Sequence, residues 1–290
     1  MKKSMSLIIL VLFLVSCKEE ITHPIPSENK INRIVCLSPS ITAQIVDLES
    51  SHLVVGVTTY SPPLNHEVEI IGTLTSPNIE KIILLKPDAI IYSIEDAAVQ
   101  RTEQLKAMGI KLFPFEKNAD YKSICENYMK LGHIIGKEEL ANKKLAFYNK
   151  ELEEIKTNTA KNQVKPLVAF FVSQEPLIAV SSLSFISGII DDAGGINIYH
   201  NLEKAYPLVS AESLIILKPD IILSIMPDAE NFFRKILSRY NMRATELFNN
   251  IYSINPDNTT LYTPANYVKS VKEVWDKITI YLKNRSENQL

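Results

Sequence analysis

The segment NIEKIILLKPDAIIYS (78–93) returns at 209–225 as VSAESLIILKPDIILSI. Each copy reads as a short helix stopped by Lys-Pro and followed by an unbroken apolar strand. A strand without polar alternation is what a parallel sheet covered on both faces requires. The spacing constrains the fold further: 54 residues separate Ile34 from Asp88 and 53 separate Leu167 from Asp220, so the element holds nearly the same place in each half. The chain therefore reads as two similar α/β lobes built by repetition. Its 290 residues exceed one ordinary domain of roughly 100–200, and 46% hydrophobic with 22% charged residues is enough apolar mass for two cores.

The remaining pattern fits the same scheme. RIVCLSPS (33–40) and LVVGVTTY (53–60) are apolar runs entering polar loops, with a helical spacing of Ile41, Ile45 and Leu48 between them. Lys86 is expected in the last turn of the first repeated helix, where a cation suits the macrodipole. RTEQLKAMGIKLFPF continues with a helix, a glycine stop at Gly109 and a strand. From Gly136 to about Ala160 a helical pattern runs without internal Gly or Pro, long enough at roughly 35 Å to cross a domain. After Pro166 the alternation restarts with LVAFFVS, SFISGIIDDAGG, AESLIILKPD, IILSI, NFFRKILSRY and NNIYSI, and closes on the helix YVKSVKEVWDKITIYLK. The expected organisation is an N-terminal lobe at 31–135, a spanning helix at 136–160 and a C-terminal lobe at 161–290.

The N-terminus places the chain in a compartment. MKKSMSLIILVLFLVSC has a basic start, an apolar stretch from Met5 to Val15 and then Cys17. The stretch is shorter than the roughly 20 residues of a membrane-spanning helix and reads as a removable signal over 1–16. LVSC resembles the lipobox of bacterial lipoproteins, which makes Cys17 the expected site of lipid attachment and the membrane anchor. Residues 17–30 are polar with two prolines and read as a flexible tether. The expected location is the periplasmic side of the envelope, with the inner and outer membranes both open as the holder of the lipid.

Net charge is −2, and acidic and basic residues interleave, as in KEELANKK. No basic stripe is present to neutralise phosphates, so nucleic acid is set aside as a partner. The three cysteines, Cys17, Cys36 and Cys125, lack zinc or redox spacings. Cys36 and Cys125 read as small buried hydrophobes, with a disulfide between them left open. His52, His66, His133 and His200, four of the five histidines, lie without metal-ligand spacing. The sequence has no GxSxG, HExxH, Walker loop or GxGxxG, so no enzyme activity, resident cofactor or structural metal is expected.

The ordered set RIVCLSPSIT, VVGVTTYS, IIGTLTSPNIEKIILLKPDAII, LKAMGIKL, a lone spanning helix, DDAGGINIY and ESLIILKPDII resembles the periplasmic iron-chelate and cobalamin receptors of ABC importers, from about Ile31 to Leu282. The resemblance implies two Rossmann-like lobes with parallel sheets, joined by one long spanning helix, in the class III periplasmic binding protein architecture. It also implies a cobalamin, ferric siderophore or haem guest in the cleft, delivered by a monomer to a permease dimer with its ATPase. The alternatives are a haem receptor with a tyrosine on iron, and a lipid-anchored sensor or scavenger not coupled to transport.

Open parallel sheets bind ligands beyond the carboxyl ends of their strands. The loops to watch are therefore Ser38–Ser40, Thr58–Pro63, Tyr92–Asp96, Ser173–Pro176 and the stretch around Leu261–Asn266, which place Ser40 and Ser61 among the expected ligand contacts. Tyr60 matches a position where the resemblance implies an aromatic ring facing the guest, for which Tyr60 is also the candidate iron ligand. Tyr206 stands where cobalamin receptors often have a tryptophan before proline. Tyr92 and Tyr262 read equally as ligand contacts or strand-end packing. Leu74 and Ser93 occupy places where some cobalamin receptors carry tryptophan, and these loops contain no Arg or Lys. Glu80 and Glu212, each in the first turn of its repeated helix, suit the helix dipole. In the resembling receptors such acids meet arginines on the two permease subunits.

Overall fold

The computed structural model describes residues 31–94, 105–106 and 108–287. The first sheet contains β1 (Ile34–Cys36), β2 (Val54–Val57), β3 (Glu69–Ile70), β4 (Ala89–Ser93) and β5 (Lys111–Phe115), in the order β3-β2-β1-β4-β5. Every pairing in it is parallel. Helices α1 (Pro39–Asp47) and α2 (Ile79–Leu84) connect its strands. The crossover before β5 lies largely outside the described residues. Both faces are covered: Ile34, Cys36 and Ile91 enter one core cluster, while Val35, Ile90 and Tyr92 enter another.

Two helices follow, α3 (Tyr121–Ile134) and α4 (Glu138–Thr159). Asp120 and Ser123 form a reciprocal capping box that starts α3. The second sheet contains β6 (Leu167–Ser173), β7 (Ile178–Ala179), β8 (Ile196–Asn197), β9 (Ile221–Ser224) and β10 (Ile251–Ser253). Its order is β10-β9-β6-β7, with β8 beside the start of β6. This sheet departs from the all-parallel expectation, because β7 runs antiparallel to β6. The turn at 174–177 is too short for a parallel crossover and reverses the chain directly. The lobe is completed by α5 (Phe185–Asp192), α6 (Glu212–Leu217), α7 (Ala229–Arg239), α8 (Pro256–Thr260) and α9 (Pro264–Glu287). No described helix is long and apolar enough to cross a membrane.

The repeated LKPD element is one structural device used twice. Lys86 and Lys218 both adopt left-handed backbone, with φ of 47° and 46°, so they turn the chain out of the helix rather than serving in its last turn. The aspartate then ties the start of the new strand to the start of the lobe's first strand. Asp88 Oδ2 accepts the N–H groups of Asn32 and Arg33 at 2.8 and 2.9 Å, and Asp88 N–H donates to the Arg33 carbonyl at 2.9 Å. In the second lobe Asp220 Oδ2 accepts the Leu167 N–H at 2.7 Å, and Asp220 N–H donates to the Leu167 carbonyl at 2.8 Å.

Helix α4 belongs to both lobes. Ala141 and Leu145 enter the core of the first, whereas Leu152 and Ile155 enter that of the second. Their spacing forms one continuous apolar stripe. The helix does not run alone, since α3 and α9 pack along it. Each lobe also holds α4 through a carboxylate at the end of its first helix. Asp47 accepts from Tyr128 and, at 2.8 Å, from Tyr148, with Lys144 Nζ at 3.3 Å. Asp192 accepts from Tyr267 at 2.8 Å, with Lys156 Nζ at 3.4 Å. Burial first, and the neighbouring aspartates with it, raise the pKa values of Tyr128, Tyr148 and Tyr267 far enough to keep these phenols protonated as donors.

Candidate functional site

The carboxyl ends of β1, β4 and β5 open onto a cavity of about 230 Å³. It is lined by Ser40, Ile41 and Gln44 of α1, Ser93 at the end of β4, Phe115 at the end of β5, and Thr260 and Tyr262 from the other lobe, among others. The cavity therefore sits at the seam between the lobes. Pro39 at the first turn presets the backbone of α1, and Ser40 and Gln44 then share a face one turn apart. Both reach across the seam to a single residue. Tyr262 N–H donates to Ser40 Oγ at 3.1 Å, and Gln44 Nε2 donates to the Tyr262 carbonyl at 2.7 Å. The Tyr262 ring packs edge-on against Phe185, with centroids 4.5 Å apart.

The loop after β5 forms another wall. Asn127 Nδ2 donates to the Glu116 carbonyl at 3.0 Å and to Asn118 Oδ1 at 2.9 Å, which fixes the loop before any guest arrives. Sequence reasoning passed over this stretch, FEKNAD, although it is a polar run directly after a strand, the signal used for the other loops. It carries Lys117, so the absence of cations from the strand-end loops does not extend to it. Gln44, Asn127 and Thr260 were also missed. The first two lie within helices, and Thr260 ends one.

The expected contacts divide into three groups. Ser40 and Tyr262 line the cavity. Tyr60, Ser61 and Tyr206 do not line it. Tyr60 is 88% exposed and holds a left-handed backbone with φ of 66°. Its loop is joined to the segment carrying Leu74, a lining residue, by Thr59 N–H to the Gly72 carbonyl at 2.9 Å. Tyr206 is half-exposed on a ribbon hydrogen-bonded along β7, with Ala179 N–H to the Pro207 carbonyl and Ser181 N–H to the Ala205 carbonyl, both at 3.0 Å. Tyr92 belongs to neither group. It is buried in the core with Val35, Leu37, Ile71 and Ile82, because the fourth residue of β4 points to the covered face. Cys17 and most of the loop after β4 lie outside the described residues.

Glu80 and Glu212 are exposed on α2 and α6. Glu212 Oε1 accepts from Tyr240 at 2.5 Å, which holds its carboxyl below the usual range, while Glu80 has no ion pair among the described residues. Cys36 and Cys125 are not joined by a disulfide; the first is buried in a core and the second packs against it. Burial pushes Cys125 up to about 11. No group of three or more metal-ligating side chains occurs among the described residues.

Two sheet-bearing lobes that share a core helix and close a cavity at their strand ends define a two-lobed binding protein. The chain belongs to the periplasmic binding protein family, whose sequence profile matches residues 34–242. It is 29% identical to the vitamin B12-binding protein of Vibrio cholerae over 208 residues, covering 70% of this chain and 72% of that protein. The solved structure of the periplasmic vitamin B12-binding protein of Vibrio cholerae matches with a TM-score of 0.73 at 24% identity, over 88% of this chain and 99% of that one. The periplasmic heme-binding protein of Vibrio cholerae has a TM-score of 0.74 at 18% identity, over 85% and 98%.

Proposed function

We propose that this protein captures a metal chelate, a corrinoid or an iron-siderophore, at the seam between its lobes and delivers it to an ABC permease dimer with its ATPase. It does so from the periplasmic side of a membrane, to which it is anchored by lipid on Cys17. The observation that carries the reading is the cavity itself, built at the carboxyl ends of the first sheet and completed by Tyr262 of the second lobe. The names of the relatives favour the same class of guest. A cavity of about 230 Å³ is below the roughly 300–1,000 Å³ of ordinary small-molecule sites. A macrocycle would therefore insert one edge and rest its face on the rim, where Tyr60 and Tyr206 offer rings with polar ends.

Two features support docking. Glu80 and Glu212 stand at matching places in the two lobes, and one turn further each helix exposes an aliphatic side chain, Leu84 at 79% and Ile216 at 76%. A paired acid and apolar patch on each lobe suits a partner with two similar subunits, the charges steering encounter and the aliphatics adding contact. A second reading, haem, has one observation in its favour: the exposed Tyr60 phenol in strained backbone.

Titration of the purified protein with cyanocobalamin, haemin and ferric siderophores, followed by absorbance, tests the proposal. One class should bind at micromolar affinity or better. Silence across the panel refutes the chelate reading. Glu80→Ala combined with Glu212→Ala should leave that affinity intact and cripple transport; transport at the parent rate refutes the docking role.

A further inference from the structure

We infer that the cleft selects a guest that presents uncharged hydrogen-bond donors, carboxamide or hydroxyl groups, to its N-terminal wall, over a guest with an anionic periphery. The inference rests on the chelate-receptor reading above and narrows it. Among the buried side-chain polar atoms without a protein partner, Gln44 Oε1 belongs to a residue that lines the cavity, whereas Thr59 Oγ1 and Ser61 Oγ lie on the loop after β2. Orphaned buried polar atoms are uncommon in folded proteins, and one on a cavity wall points to a partner supplied from outside.

Gln44 is the most informative of the three. It is 1% exposed, and its amide orientation is fixed, because Nε2 donates to the Tyr262 carbonyl at 2.7 Å and a flip would set two oxygens against each other. Its free atom is therefore an acceptor that calls for an N–H or O–H donor. The charge of the lining points the same way. Glu116 is the one carboxylate among the described lining residues, and none of them is Lys or Arg; Lys117 follows in the chain but is not part of the lining. A carboxylate or catecholate set against Gln44 Oε1 would lose hydration and meet an acceptor oxygen, with no Lys or Arg among the described lining residues to offset the cost. An amide N–H would satisfy the orphaned acceptor instead. A corrinoid with carboxamide arms, or a neutral ferric hydroxamate, has this chemistry; a porphyrin bearing carboxylates or a ferric catecholate does not.

Matched neutral and anionic probes test the inference on the unmodified chain, so no variant needs to fold. Calorimetric titration would compare dicyanocobinamide with its fully hydrolysed polycarboxylate, and a neutral ferric trihydroxamate with an anionic ferric tricatecholate. The neutral member of whichever pair binds should do so at least tenfold more tightly. Gln44→Met should then cut that preference severalfold. Equal or tighter binding of the anionic member overturns the inference while leaving the receptor reading in place. Binding of none of the four overturns the chelate reading and the inference with it.

Discussion

Removing the Asp220 carboxyl should destabilise the protein more than removing its counterpart Asp88, although the sequence around the two is nearly the same. Asp220 Oδ2 accepts the Leu167 N–H at 2.7 Å, and Oδ1 accepts the Tyr281 phenol at 2.8 Å. Tyr281 is buried, so Asp220→Ala leaves one buried donor and one strand-start N–H without an acceptor. Hydrogen bonds to a charged group contribute about 1.5–3 kcal/mol each, and a partly solvated pair puts the loss near 3–4 kcal/mol. Asp88 also accepts two bonds, but both come from N–H groups on an exposed segment that water can reach, so its loss should be about 1–2 kcal/mol. At roughly 2–4 °C per kcal/mol for a chain of this size, Asp220→Ala should melt about 6–16 °C below the parent, and Asp88→Ala about half as far or less. Circular dichroism melts at pH 7 read this directly, and midpoints are the quantity to compare because two lobes need not unfold as one. Asp220→Asn should recover little, since its amide nitrogen would face a donor. A Tyr281→Phe and Asp220→Ala cycle should show coupling of about 1 kcal/mol or more. An Asp220→Ala protein melting within 2 °C of the parent, or an Asp88→Ala protein melting lower than Asp220→Ala, refutes the reasoning. Ligand affinity should not change, because both aspartates precede their strands and the cleft lies at the opposite ends.

Three further outcomes are expected. Burial, and then the charge of Asp192, raise the Asp191 carboxyl above its usual range. A raised carboxyl contributes stability below its unfolded pKa and loses it as pH rises through the folded value. Asp191→Asn should therefore melt slightly higher at pH 7, by about a degree or two given the exposure of the group, and match the parent below about pH 3.9. In the folded protein Cys36 and Cys125 should resist iodoacetamide at pH 7 and react on denaturation, with mass spectrometry finding no disulfide between them; rapid native labelling of Cys125 would contradict its burial. Tyr60→Gly relieves left-handed backbone but frees the unfolded chain, so stability should stay within about 1 kcal/mol. Its affinity for the guest should nonetheless fall at least tenfold, and unchanged affinity would remove the Tyr60 ring from the site.

Periodicity and repetition made the two lobes and the spanning helix legible, because both are local patterns. The reason for the repeated aspartates was not, since their partners lie 53 to 61 residues away. Tyr92 shows the limit of reading a strand covered on both sides. Ile91 enters one core and Tyr92 the other, and with both faces apolar nothing in the alternation tells which residue ends the strand facing a ligand. The Gln44 contact to Tyr262 spans 218 residues, so no spacing argument could find it. The short β7 was hidden for a different reason: two residues carry no period, and a turn of four residues was needed to reveal the reversal.

The sharing of α4 between the lobes bears on how the cleft admits a guest. A wide swing of one lobe would have to draw either Ala141 and Leu145 or Leu152 and Ile155 out of a core, and would strain the carboxylate clamps at Asp47 or Asp192. Exposing two such side chains costs on the order of 3–5 kcal/mol before the clamps are counted, and each charge-assisted bond lost adds about 1.5–3 kcal/mol. A guest bound at micromolar affinity supplies only about 8 kcal/mol in total. Most of that would be consumed by a hinge motion, so opening must come from elements that carry no shared core. The loops bearing Tyr60 and Tyr206 meet that condition, and so does the Tyr262 stitch, which two hydrogen bonds hold across the seam. Guest-dependent change in hydrogen exchange should therefore concentrate in residues 58–63, 199–211 and 260–263, with α4 protected throughout; protection changing along α4 instead would show that the lobes swing.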